Sequence, residues 1–245
     1  MLCEYINYVL NDYLFVTPFV WRRWYVTMGE KKKIMVVEVQ TIMRYGLCSA
    51  LENEAGFIIS GETGSGRAAV EMALRLCPDV VVMDVDLPEL NGIEVTRQII
   101  AGNPDVRIIA LSMLRKEQCV MGMLDAGARG FLLKKCHFTD LVDAIKAVCM
   151  GKKYLSADIA GMVVDRALNP SRELQNHGSK VILTPREREV LQLVAEGKTS
   201  LGMSKILGIS KRTVDIHRKN IMDKLDLRSV AELTRYAIAE GLVFV

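Results

Sequence analysis

Four polar residues stand where short apolar runs end. Glu38 follows Ile34–Val37, Asp84 follows Val80–Met83, Ser112 follows Val106–Leu111, and Lys134 follows Gly130–Leu133. A carboxylate nucleophile, a second carboxylate, a hydroxyl and an ammonium are groups that accept a phosphoryl unit and offset its charge. The carboxylates also suit Mg²⁺, a hard cation that takes oxygen ligands and keeps several waters. Taken singly, each residue reads as a loop or capping residue. Four of them at matching run ends point to phosphoryl chemistry.

A second set lies near the C-terminus. Placed on a helix, residues 211–225 put Val214, Ile221 and Leu225 on one face. Arg212, Asp215, Ile216 and Lys219 fall on the opposite face at i, i+3, i+4 and i+7. Exposed bases beside an exposed isoleucine suit a DNA major groove. Lys219 has the chemistry for a guanine edge or a phosphate, Ile216 for a thymine methyl, and Asp215 for a cytosine amino group. Lys211, Thr213 and Arg218 are phosphate candidates, which position a duplex without specifying it. The plain alternative is a solvated charged face.

The elements that must position the first set are legible as an alternation. Apolar runs at 34–37, 57–60, 80–83, 106–111 and 130–133 are separated by helical stretches at about 41–53, 66–76, 92–102, 116–126 and 139–150. Strands alternating with helices of this length build βαβ units and a parallel sheet covered on both faces. Five such units predict an α/β, doubly wound, five-stranded, flavodoxin-like domain that binds ligands at the carboxyl ends of its strands. After Gly151 the pattern decays, and Asn169–Lys180 has linker composition.

From Leu183 the punctuation is helical. Thr184-Pro185-Arg186-Glu187 and Ser229-Val230-Ala231-Glu232 are capping boxes, and Gly197, Gly208 and Gly241 stop helices. Two helices joined by a tight turn and flanked by two more predict a small all-α helix-turn-helix domain. The expected organisation is an N-terminal extension over 1–30, an α/β domain over 31–152, a linker over 153–182 and the helical domain over 183–245.

Half of the 245 residues are hydrophobic, a quarter are charged, and the net charge is +3. This is ordinary globular composition and by itself does not mark a nucleic-acid partner. The cysteines (Cys3, Cys48, Cys77, Cys119, Cys136, Cys149) form no C-x-x-C pair, which argues for reduced thiols in the cytoplasm rather than a disulfide framework. His137 and His177 read as surface residues and His217 as a packing residue. Residues 1–27 contain both tryptophans, yet Asn7, Asn11, Asp12 and Pro18 make them a poor membrane span. The segment reads as upstream of a natural start at Met28, or else as an amphipathic anchor or partner helix.

Residues 33 to about 152 resemble the receiver domain of two-component response regulators. The resemblance rests on VVMDVDLPELNGIE around Asp84, IIALS ending at Ser112, and DAGARGFLLKK through Lys134. It implies that Asp84 is the phosphoacceptor, that Ser112 and Lys134 contact the phosphoryl group, and that Phe131 is the aromatic switch. It also implies Mg²⁺ held by Glu38, Asp84 and the main-chain carbonyl of Asp86. The family usually carries two adjacent acids after its first strand, where this chain has Glu38-Val39. Lys135 replaces the proline or acid that often follows the lysine.

LTPREREVLQLVAEGKT and ILGISKRTVDIHRKNIMDKL closely resemble the LuxR-type DNA-binding domain, over residues 183–243. Gly202 and Ser204 stand where that family commonly has glutamate and alanine. Together the two resemblances imply a response regulator of the NarL/FixJ class: a DNA-binding transcription regulator, not an enzyme, phosphorylated by a sensor histidine kinase. They further imply double-stranded DNA and RNA polymerase as partners, no membrane, and a homodimer through the last helix by Val230, Leu233, Ala237 and Ile238. One alternative is an atypical regulator working without phosphorylation. A remote one is a haloacid-dehalogenase-like phosphatase, because Asp84-Val85-Asp86 also fits its D-x-D motif.

Overall fold

The run Val80-Val81-Val82-Met83 is buried on both sides, as a central parallel strand must be. A computed structural model describes residues 31–113, 115–168 and 183–243. The N-terminal extension, His177 and the polar stretch 169–180 lie outside these residues.

The α/β domain runs β1 (Lys32–Val37), α1 (Thr41–Glu52), β2 (Phe57–Thr63), α2 (Gly66–Leu76), β3 (Val80–Asp84), α3 (Gly92–Gly102), β4 (Arg107–Ser112), α4 (Glu117–Asp125), β5 (Gly130–Leu133) and α5 (Phe138–Cys149). The sheet is parallel, in the order β2-β1-β3-β4-β5-β6. Alternate residues of each strand feed opposite layers. Ile34, Val36, Val80, Val82, Ile109 and Leu132 pack against α1 and α5. Met35, Val37, Val81, Met83, Ile108, Ala110 and Phe131 pack against α2, α3 and α4. The strand order reverses between β1 and β3, so Glu38 and Asp84 flank the switch point.

The sheet has six strands rather than the five expected. Gly151 takes φ +79 and turns the chain, so that β6 (Tyr154–Leu155) pairs with Gly130 and Phe131 of β5. Two residues carry no periodicity, which is why the strand escapes a pattern search. Next comes α6 (Ala157–Leu168), within the span expected to be linker. It is tied down by Ile159, fully buried in the same layer as Phe131.

The helical domain consists of α7 (Pro185–Ala195), α8 (Ser200–Leu207), α9 (Lys211–Leu225) and α10 (Val230–Ala239). Thr184 and Ser229 form their capping boxes with Glu187 and Glu232, and Ser210 accepts from Thr213 N–H at the start of α9. Val190, Leu193, Met203, Val214, Ile221, Leu233 and Ala237 form the core.

Candidate functional site

Residues at the ends of β1, β3, β4 and β5 meet at the carboxyl edge of the sheet because parallel strands end together. Glu38 follows β1, and its main-chain N–H donates to Thr63 O at 3.0 Å, which extends the ladder by one residue. Lys134 follows β5 and is fixed by its N–H to Ser112 O at 2.8 Å. Its side chain turns inward, 3% exposed, and Nζ lies 2.7 Å from Asp84 Oδ2 and 2.7 Å from Glu38 Oε2. Glu38 Oε1 accepts from Gln40 N–H and Asp84 Oδ1 from Asp86 N–H. The four residues singled out by spacing are therefore neighbours, with the ammonium bridging two carboxylates.

Burial pushes the Asp84 carboxyl above its usual range, and the Glu38 charge adds to this; the Lys134 bond and charge oppose it. For Lys134, burial favours the neutral amine, but Asp84 and Glu38 hold its pKa above the usual lysine value. Ser112 is buried and bonds with Cys119, whose thiol is pushed up to about 12 chiefly by burial. A thiol in that state is inert. Cys119 belongs to the wall of the site, and nothing in its spacing pointed there.

Val39 projects to solvent, 40% exposed, and supplies no oxygen. Among the described residues, no group of three or more acidic, His or Cys side chains could hold a metal. Two buried carboxylates, Glu38 and Asp84, remain at the edge with the Asp86 main chain beside them. That reduced donor set still fits Mg²⁺, which is commonly held by one or two carboxylates with waters and substrate phosphate completing the shell. Phe131 is fully buried in the core.

On α9, Lys211, Arg212, Asp215, Ile216 and Lys219 are exposed, and Thr213 and Arg218 are half-buried. Asp215 and Arg218 are not independent. Ser200 Oγ, on α8, donates to Asp215 Oδ1 at 2.7 Å and accepts from Arg218 Nη1 at 3.0 Å. Ser200 thus ties the two helices and sets both side chains. A shallow cleft of about 400 Å³ beside α9 is lined by Arg218, Lys219 and Arg228 together with Asp215 and Asp223, so its charge is mixed. On α10, Leu233 and Ala237 are fully buried in the domain's own core, so they cannot form a dimer face. Val230 and Ile238 remain exposed. His217 is half-buried and His137 exposed.

The same two units are found in known proteins. The chain matches the response regulator receiver domain over residues 34–146 and the luxR family of bacterial regulatory proteins over 181–237. It is 34% identical to the transcriptional regulatory protein LiaR of Bacillus subtilis over 211 residues, 86% of this chain and 99% of LiaR. Among solved structures, it is similar to a LuxR-family two-component response regulator from Aurantimonas (30% identity, TM-score 0.54, 57% of this chain and 99% of the other). It is also similar to the response regulator RcsB of Salmonella typhimurium (25% identity, TM-score 0.53, 86% and 99%). A receiver fold joined to a helix-turn-helix defines a transcriptional regulator of two-component signalling. The chain belongs to the NarL/FixJ class of response regulators, with a LuxR-type DNA-binding domain.

Proposed function

We propose that Asp84 accepts a phosphoryl group from a sensor histidine kinase and that this controls DNA binding through α9. The observation that carries the reading is the Lys134 ammonium 2.7 Å from the Asp84 carboxylate in a buried pocket at the switch point of the sheet. Ser112 and Lys134 neutralise the transferred oxygens. Glu38, Asp84 and the Asp86 carbonyl would hold Mg²⁺, which would supply charge neutralisation on the phosphate. Phe131 is the switch residue; its pairing with Ala110 of β4, two residues before Ser112, supports this role.

For DNA, Lys211, Arg212, Thr213 and Arg218 contact phosphates while Asp215, Ile216 and Lys219 face base edges. Dimerisation uses the exposed Val230 and Ile238 of α10, and RNA polymerase is the downstream partner. No helix of the described residues is long and apolar enough to cross a membrane, and the regulator acts in the cytoplasm. The domain boundaries follow the two units: the receiver unit runs past 152 to take in β6 and α6, and the helical unit begins at Leu183. Neither alternative reading finds a favouring observation; a phosphatase reading leaves the helical domain without a role.

The test combines phosphodonor labelling of wild type and Asp84→Asn with selection of bound duplexes from random DNA. Label on wild type lost in Asp84→Asn, with donor-dependent enrichment of one sequence, is expected. Equal enrichment with and without label supports control that bypasses Asp84.

A further inference from the structure

The loop between β3 and α3 carries Asp86 and leads from Asp84 to Asn91. Several of its polar groups find partners in the DNA-binding domain. The Gln192 side chain, 2% exposed on α7, accepts at Oε1 from Asn91 N–H (2.9 Å) and Asn91 Nδ2 (3.1 Å). Its Nε2 donates to Leu87 O (3.2 Å) and to Glu196 Oε1 (2.8 Å). Glu196 Oε1 in turn accepts from Glu89 N–H at 2.9 Å. Glu89 sits at φ +66, a left-handed conformation that costs a non-glycine residue energy and persists where surroundings enforce it. Asn91 also caps α3 through Glu94 N–H, so one side chain joins the helix start to the other domain. Ion pairs frame the contact: Arg188 to Glu94 at 2.9 Å and Arg67 to Glu189 at 3.0 Å.

The loop has little slack toward Asp84. Gly92 N–H donates to Val85 O at 2.9 Å. A Cβ at Gly92 would lie 2.8 Å from Val85 Cα and 2.9 Å from Asp84 O, so the start of α3 is flush against the acceptor's own backbone. Asn91 thus sits one residue from a backbone held against Asp84 and Val85.

We propose that Gln192 and Glu196, on the DNA-binding side, are positioning residues for the receiver's phosphoacceptor loop. The docked α7 braces the loop that carries Asp86, whose main-chain carbonyl would serve a bound Mg²⁺, while the outer face of α9 stays exposed. This rests on reading Asp84 as the phosphoacceptor and Asp86 as a main-chain metal ligand.

The test uses the full chain as wild type, Gln192→Ala, Gln192→Glu and Glu196→Ala. Amide hydrogen exchange is read residue by residue, and Mg²⁺ is titrated without phosphodonor, followed by the amide shifts of Asp84–Asp86. Exchange at Asn91 in Gln192→Ala, and at Glu89 in Glu196→Ala, is expected to speed at least tenfold, with β3 and α9 amides within twofold of wild type. The Mg²⁺ midpoint should rise at least threefold in both. Gln192→Glu keeps the acceptor for Asn91 but loses both donors, to Leu87 O and to Glu196 Oε1, and sets two carboxylates side by side, so its Asn91 amide stays more protected than in Gln192→Ala while Glu89, bonded to Glu196, exchanges faster than in wild type. Unchanged exchange in folded variants overturns the proposal, as does faster exchange with an unmoved midpoint or a wild type with no Mg²⁺ response. A tenfold gain in DNA affinity with an unmoved midpoint makes the contact a clamp on DNA binding instead. A wild type that binds Mg²⁺ but takes no phosphoryl label overturns the phosphoacceptor reading alone and leaves loop positioning standing.

Discussion

Replacing Lys134 by methionine keeps an unbranched stem one atom shorter and removes the charge from a pocket where all three partners are under a tenth exposed. Two carboxylates that shared one ammonium are left facing each other. Breaking a buried pair this way costs about 3–5 kcal/mol. The alternative for the protein is to protonate one carboxyl, which caps the loss. From the ordinary value of 3.8, that costs about 5 kcal/mol at about pH 7.5 and about 1.6 kcal/mol at about pH 5, at 1.36 kcal/mol per unit. The Asp84 carboxyl is already raised in the folded state. A raised carboxyl binds its proton more tightly folded than unfolded, so its effect on stability worsens as pH rises from the unfolded value through the folded one. Lys134→Met steepens that slope and deletes the contribution of the raised Lys134, which in wild type is full below the ordinary lysine value and lost as pH climbs through the raised one. Urea unfolding followed by circular dichroism at both pH values measures it. The loss should be about 3–5 kcal/mol at about pH 7.5 and shrink by more than half at about pH 5, with Mg²⁺ restoring part of it at the higher pH. A loss below about 1 kcal/mol, the scale of an exposed pair, or one independent of pH, would refute the buried ion triad.

Val39→Asp should lower the Mg²⁺ needed for half-maximal labelling of Asp84, because it adds a carboxylate beside Glu38; phosphodonor titration that shows no shift means the missing acid is not limiting. Lys219→Ala should weaken binding to a selected duplex by about 1–3 kcal/mol if it reads a guanine edge, while equal loss across sequences assigns it to phosphate. In Glu187, burial pushes the carboxyl up, but the Lys224 ammonium and the Thr184 N–H and hydroxyl outweigh burial and hold it below the ordinary 4.5. Its stabilisation is full above that value and lost as pH falls through the lowered one, so Glu187→Gln should cost about 1–3 kcal/mol near pH 7 and almost nothing in strong acid, by thermal unfolding of the full chain.

Glu38, Asp84, Ser112 and Lys134 could be picked out together because a parallel sheet converts strand ends into spatial neighbours, and apolar runs mark those ends. The start of α9 was legible because Ser210 and the 3.6-residue repeat are local signals. Signals failed where the determining contact is distant or the element too short. Tyr154–Leu155 has no period of its own and becomes a strand only because Gly130 and Phe131 present an edge. Leu233 and Ala237 were expected to face a partner, but the apolar stripe of α10 is used first by Val190 and Ile221 in its own domain. Gln192 looks like any polar helix residue. Its role depends on Asn91, 101 positions away in sequence, which no window can see.

With α7 docked on the receiver, the outer face of α9 still meets solvent. DNA at α9 and the receiver at α7 therefore do not compete for one surface. Linkage is reciprocal: a ligand that does not distinguish docked from undocked protein cannot shift that equilibrium, however tightly it binds. If DNA binds docked and undocked protein equally, a single chain seated on an operator sends no message back to its own acceptor site. On the proposed α10 dimer, cross-talk between occupancy and phosphorylation would enter through the second subunit, provided that its arrival favours one arrangement of the two domains. Cooperativity would then belong to a pair of chains rather than to the monomer.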